Sequence, residues 1–508
     1  MTGPVILDGH GLTCEDVAAV ARGGARVEPA PQVAARLERD RAAVDTAVDR
    51  QVPAYGVTTG LGSRSTYALP REELAEFSVR TVRGRANAVG APLPAEVVRA
   101  AVLARVNGIA GGGSGVQPAV ARLLVDLLNA GVTPVVPEVG SIGSSDLCQA
   151  AHIGLVVIGE GRAELDGEVL DGAEALRRAG LVPVRLGPKD GLVLCGASPF
   201  AAGHGALVVH DAATALTLAQ AVTALTFEGF RANVGPLDPR VQAARPAPGQ
   251  ATAAAELLAL LEGGDLPSRA RRVQDPVSLR CAAQVHGSVH AALDFARAAL
   301  DPELNGSGDN PLVLDTGEIR STGNFHTPAL ALAFDTLALA LTQLAAMSAA
   351  RMQRLLTPSL SGLPANLSPY GPERSGLAPL AKTAQALVTE IRSLATPLST
   401  DPRWGAETVE DDSTHASLGA RRLARQLDLL RHLTAVEALA AAQAVDLVRD
   451  ETRGALGRGP AYLHKAIRQV VPRLDDDRPA GPDVERIATG VLADPDVRAT
   501  LTALASPG

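Results

Sequence analysis

Aromatic side chains make up only 2% of the 508 residues, and cysteine occurs four times. Cys14, Cys148, Cys195 and Cys281 form no CxxC pair and have no metal-like spacing, which speaks against a cysteine-built metal centre. Net charge is −8, and the Lys and Arg residues are scattered rather than gathered on one stretch. A nucleic-acid partner would want a basic face, so none is expected. The arginines read instead as solvated helix faces and salt-bridge partners. There is no charged tail, no signal peptide at the start and no convincing internal repeat. The longest apolar stretch, about 329–356, carries Asp335, Gln343 and Arg351, and is expected as a buried helix rather than a membrane span. Together these absences predict a cytoplasmic protein with neither nucleic acid nor membrane as partner.

The chain is uniformly rich in Ala, Leu, Val, Gly and Arg, with 46% hydrophobic residues. Long helices can share one core over such a length, so one large unit is expected. Residues 1–200 read as a mixed N-terminal part. Helical periodicity runs over 31–50, 71–90, 95–111 and 118–130, broken by the Gly/Thr run Tyr55–Gly62 and by GGGSG at 111–115. An irregular Gly/Ser-rich segment at 134–146 precedes an apolar helix at about 147–158. A hairpin is expected around Asp166-Gly167. Residues 201–450 hold long helices at roughly 204–231, 278–300, 328–356, 375–396 and 417–449, apolar around much of their circumference. Such helices pack in a bundle or a subunit interface, which predicts a large obligate oligomer. Residues 451–508 are richer in Pro, Asp and Arg and read as a peripheral helical segment.

Four segments in this order resemble the histidine/phenylalanine ammonia-lyase family: Tyr55-Gly-Val-Thr-Thr-Gly-Leu-Gly62, Gly140-Ser-Ile-Gly-Ser-Ser-Asp-Leu147, Gln274-Asp-Pro-Val-Ser-Leu-Arg280-Cys281 and Gly323-Asn-Phe-His326. Asn310-Pro-Leu-Val313 and Ser361-Gly-Leu-Pro364 fit as well. The resemblance implies a mostly α fold, a long central helix bundle of the ammonia-lyase/fumarase-like type with a smaller mixed N-terminal part. It also implies a homotetramer whose active sites are shared between subunits.

The chemistry of that family is demanding, because the β-hydrogen of an amino acid is weakly acidic and its amine leaves poorly. The family uses an electrophile made from its own backbone: an Ala-Ser-Gly tripeptide cyclises and loses water to give a methylidene-imidazolone, whose methylene comes from the middle Ser. Here the run is Gly143-Ser144-Ser145-Asp146-Leu147. Aligned from the left, Ser144-Ser145 fall on Ala-Ser; aligned from the right, Asp146-Leu147 and His152 fall in register. Both hold if the Gly is deleted, which leaves the loop one residue short. Two readings follow. Either Ser145 supplies the methylene of a Ser144-Ser145-Asp146 ring, or no ring forms and the serines are hydrogen-bonding groups at a helix start, with Ser145 or Asp146 as N-cap. The shortened loop favours the second.

The resemblance assigns Tyr55 as proton-transfer group and Arg280 as clamp for a substrate carboxylate, a bidentate contact that Lys cannot copy. It places Gln274, Asn310 and Phe325 along the site, although each could equally be a packing residue. Four positions depart from the family. Cys195 stands where Asn is expected, Val277 where a second Tyr is expected, and Gly84-Arg85 where histidine lyases carry Ser-His. Glu410-Asp-Asp-Ser-Thr-His415 replaces the usual Gln-Glu or Asn-Gln pair. Arg85, Cys195, Ser413 and His415 are therefore candidate substrate-recognising groups. Cys195 reads more readily as a small buried residue than as a nucleophile. His415 reads as an acid/base near Asp411 and Asp412, or as a helix cap.

The expected activity is a carbon–nitrogen lyase acting on histidine or a related aromatic amino acid, with no external cofactor. One alternative is ring-independent elimination of trimethylamine from an imidazole betaine, as in ergothionase. A quaternary ammonium has no lone pair for the electrophile to capture and already leaves well, and Trp404 near the rewritten 410–415 segment suits such a cation. A non-catalytic scaffold or binding protein is the other alternative; an aminomutase would also need the ring.

Overall fold

The computed structural model describes residues 3–371, 373–400, 410–451 and 454–507. Trp404 lies outside the described residues. The fold is mostly α, with 61% of the residues helical. By backbone contacts the chain divides into two units, each assembled from separated stretches. The first comprises Met1–His210, Ala296–Phe334 and Pro397–Arg421; the second comprises Asp211–Phe295, Asp335–Thr396 and Arg422–Gly508.

In the first unit the helices begin and end where local chemistry dictates. Pro118–Ala130 starts with Pro in its first turn, where the missing N–H costs nothing, and stops at Gly131, whose φ of 72° is left-handed. The helices Ala95–Ala110 and Pro199–Phe230 approach so closely that a Cβ on Gly203 would lie 2.5 Å from the backbone of Ala100. Only glycine fits there. The sheets are small. Val89–Pro92 pairs antiparallel with Pro137–Val139 and delivers the chain to the Gly140–Asp146 loop. The expected hairpin is present, Arg162–Leu165 against Glu168–Asp171. A core of Val44, Val48, Ala54, Val57, Leu74 and Val313 holds both shoulders of the Tyr55 loop.

The second unit is helical. Its polar centre is an Arg351–Glu437 pair, bidentate at 2.6 and 2.9 Å and almost without exposed surface, with Thr226 donating to the same carboxylate at 2.9 Å. A buried pair is tolerated when both ions are hydrogen-bonded in this way. The helices Arg458–Val470 and Pro495–Ala505 pack on Gln250–Leu261, burying Leu463, Ile467 and Leu501. Two helical stretches, Asp190–Phe230 and Pro328–Leu355, are long and apolar enough to cross a membrane. Their most apolar windows are 89% and 61% buried within the protein, as core helices are.

Candidate functional site

The Gly140–Asp146 loop is organised around one buried carboxylate. Asp146 has no exposed surface. The hydroxyls of Ser141 and Ser417 donate to its Oδ1, and the backbone N–H groups of Phe200 and Ala201 donate to its Oδ2 at 2.8 and 3.0 Å. Burial pushes its pKa up, and the serine and backbone hydrogen bonds work against that. Asp146 stands at the N-cap position of Leu147–Val157 yet makes no side-chain bond to that helix. Its carboxylate caps the helix beginning at Pro199 instead. Of the two expected N-cap residues, Asp146 takes that position, though without a side-chain bond to the helix, and Ser145 lies one residue too early, with a left-handed φ of 62°.

The rest of the loop is held by the segment before the helix Ala416–Glu451. Thr414 donates to the Gly143 carbonyl at 3.0 Å, and the His415 N–H donates to the Ile142 carbonyl at 3.0 Å. A Cβ on Gly143 would fall 2.2 Å from the Thr414 hydroxyl and 2.7 Å from the His415 nitrogen, and φ there is 80°. Ser144 pairs across an isolated bridge with His326, and Gly143 with Ser145. His326 Nε2 meets the Asp412 carboxylate at 3.1 Å. The Asp146 N–H, which a Ser144-Ser145-Asp146 ring would need as nucleophile, donates to the Ala197 carbonyl at 2.9 Å.

His415 accepts the first bond of its helix through its carbonyl, from the Gly419 N–H, so it occupies the cap position; its Nε2 lies 3.2 Å from the Ser413 hydroxyl. Ser413 is buried. Arg85, the last residue of Leu74–Arg85, is within electrostatic reach of Cys148 and Cys195. Cys195 is fully buried, and burial pushes its thiol up to about 12, with Arg85 and Arg105 only partly offsetting this. It is a packing group and not a nucleophile. Phe325 is half-buried, its carbonyl accepting from the Ser198 hydroxyl at 2.8 Å. The Asn310 side-chain oxygen accepts from the Thr322 N–H at 2.9 Å, tying it to its hairpin. The half-buried Tyr55 accepts from the Gly62 N–H through its hydroxyl at 3.1 Å.

Those residues all belong to the first unit; Gln274 and Arg280 belong to the second. With its amide oriented to satisfy both groups, the Gln274 oxygen accepts from the two terminal nitrogens of Arg280 at 3.0 and 3.3 Å. Arg280 Nε is buried without a hydrogen-bond partner among the described residues. Val277 is 55% exposed. A cavity of about 670 Å³ elsewhere in this unit is walled mainly by Ala, Leu and Pro, with Gln242 and Glu262 as its polar members. In the first unit a pocket of about 110 Å³ opens against Ser141 and Ser417, lined also by Gln149, His204 and Arg421.

The profile of the family described as aromatic amino acid lyase matches residues 12–469. The chain belongs to the aromatic amino acid lyase family. It is accordingly a carbon–nitrogen lyase. A histidine ammonia-lyase of Treponema denticola is 41% identical over 481 residues, covering 94% of each chain. Among solved structures, ergothionase from Treponema denticola, in complex with desmethyl-ergothioneine sulfonic acid, superposes with a TM-score of 0.92 at 30% identity, over 98% of this chain and 99% of that one. Tyrosine aminomutase from Streptomyces globisporus does so with a TM-score of 0.92 at 33% identity, over 99% and 98%.

Sequence reasoning missed Ser141, Thr414, Ser417 and Ala197 as partners of the family's reactive loop. Ser141 and Thr414 lie inside segments already singled out, but nothing in their spacing assigns them a role. Ser417 carries no sequence signal, because its relation to Asp146 spans 271 residues.

Proposed function

We propose that the chain eliminates ammonia from histidine or a related aromatic amino acid to give the unsaturated acid, with Arg280 holding the substrate carboxylate and Tyr55 moving the β-proton. The Gln274–Arg280 pair carries this reading. Gln274 accepts from both terminal nitrogens and fixes the plane of the guanidinium, which presets it for a planar carboxylate. Tyr55 is held by Gly62, and its flanking residues Ala54 and Val57 are locked in the core, so its hydroxyl is positioned without cost at the moment of reaction. Asn310, Phe325, Arg85, Ser413 and His415 are the groups we assign to substrate recognition, with Cys195 packed behind them.

The likeness to ergothionase favours a second substrate class, imidazole betaines that release trimethylamine. One screen separates the two. Purified enzyme is incubated with histidine, tyrosine, phenylalanine and an imidazole betaine, and the absorbance of the unsaturated product is followed. Product from histidine supports the main reading, product from the betaine alone supports the second, and no product from any of them would favour a non-catalytic scaffold. We also infer a cytoplasmic homotetramer with active sites completed between subunits. The exposed apolar residues Phe295, Leu332 and Leu339 on the long helices support it, and light scattering of the purified protein tests it.

A further inference from the structure

The geometry points to Gly143-Ser144-Ser145, and not Ser144-Ser145-Asp146, as the tripeptide of this chain that closes into the electrophilic ring, with Ser144 as the source of the methylene. This rests on the lyase reading and names the residues that would arm it.

Five observations converge on this frame. First, ring closure needs the amide nitrogen of the third residue near the carbonyl carbon of the first. Gly143 and Ser145 are already paired across a bridge within the loop. The competing nucleophile, the Asp146 N–H, is held by Ala197, and its carboxylate is pinned by four donors. Second, the carbonyl to be attacked should be polarised. The Gly143 carbonyl accepts from the Thr414 hydroxyl at 3.0 Å, a donor suited to the oxyanion of the addition step. Third, the family has glycine as third residue, and Ser145 adopts the left-handed φ of 62° that glycine takes most cheaply. Fourth, Gly143 cannot carry the Ala side chain of the usual first position, since a Cβ would strike Thr414. Fifth, the methylene must meet a substrate. Ser144 is half-buried and its hydroxyl makes no hydrogen bond among the described residues, whereas Ser145 is 8% exposed. The shortened loop has therefore lost the Ala equivalent and kept a residue in the glycine place.

The step balances as two dehydrations. The Ser145 nitrogen adds to the Gly143 carbonyl carbon, and its hydrogen passes to the carbonyl oxygen. That oxygen then departs as water with the hydrogen of the Ser144 nitrogen, leaving a carbon–nitrogen double bond. Ser144 next loses its Cα hydrogen and its hydroxyl as a second water, leaving the exocyclic methylene. No oxidant or metal is required.

The test is mass spectrometry of the full-length protein, with S144A and S145A alongside. Wild type is expected to be lighter by two waters, with fragment ions placing the loss on residues 143–145. S145A keeps the backbone nitrogen and should still lose both waters. S144A should not lose the second water. Circular dichroism confirms that both variants fold. An unmodified wild-type mass, or a two-water loss abolished by S145A and retained by S144A, overturns the assignment. Activity is scored separately: an unmodified enzyme that still forms product sinks this frame while leaving the lyase reading standing. A ring at 143–145 with no product from any substrate sustains the frame and counts against the substrate reading.

Discussion

The carboxylate of Asp146 caps a helix other than its own, accepting the Phe200 N–H at 2.8 Å across 54 residues of sequence. One side chain thus ties the reactive loop to the start of the helix Pro199–Phe230 while Ser417 reaches it from the helix Ala416–Glu451. Asp146→Ala removes the acceptor of four buried donors. It should cost about 3 kcal/mol or more in urea denaturation, since each buried group left unpaired costs about 1–3 kcal/mol. Asp146→Asn should cost roughly 1 kcal/mol. Its oxygen can take the two backbone N–H groups while Ser141 and Ser417 rotate to accept from its amide. Equal losses for the two variants would contradict this arrangement.

Arg280→Lys tests the clamp. Lysine offers a point charge in place of a planar fork, so kcat/KM should fall by about 10- to 100-fold, mostly through KM, with unchanged thermal stability. A kcat-only effect would place Arg280 elsewhere in the mechanism.

Tyr55→Phe should lower kcat by about 10²- to 10⁴-fold, the usual worth of a positioned proton-transfer group. The loop should survive, because Ala54 accepts from the Val57 and Thr58 N–H groups and the Thr58 hydroxyl bridges Val52 and Ala54 independently of the ring. Full activity in this variant would remove Tyr55 from the chemistry.

Glu303 makes stability fall with rising pH. It faces a pocket of about 280 Å³ shared with Arg105, Ser198 and Asn324, and burial, with the nearby Asp146 charge, raises its pKa from 4.5 to about 7. Between those values the unfolded chain has released this proton and the folded chain still holds it. The contribution is therefore fully present below about pH 4.5 and lost as pH rises through about 7. The difference in unfolding free energy between wild type and Glu303→Gln should shift by roughly 2–3 kcal/mol across that window, against wild type at the high end. A pH-independent difference would show that Glu303 ionises normally.

Cys195 should resist iodoacetamide at pH 8 in the folded enzyme and react after denaturation. A thiol at about 12 with no exposed surface supplies neither thiolate nor access. Modification of native Cys195, located by peptide mapping, would require the helix Asp190–Cys195 to open.

Much of the fold was legible in the chain. The helix at 118–130 appears with those bounds because its apolar spacing, its initial Pro and its final Gly all act within a few residues. The long helices after 200 were visible for the same reason, as was the hairpin around Asp166-Gly167. The site was legible as residue types at spacings: Tyr55, Arg280 and the serines of the loop. The partner of each was not. Nothing in the sequence pairs Gln274 with Arg280, which the folded chain joins at 3.0 Å, or distinguishes a glycine deleted before Asp146 from an alanine deleted before Ser144.

Local chemistry, set by backbone preference and hydrophobic period, was decided by the sequence itself, and with it the family and the mostly helical architecture. Only the tertiary structure decided that Ala197 holds the Asp146 N–H, which carbonyl Thr414 polarises and which helix Asp146 caps. Those are hydrogen bonds between groups up to 271 residues apart, and their partners become neighbours only after the helices have packed.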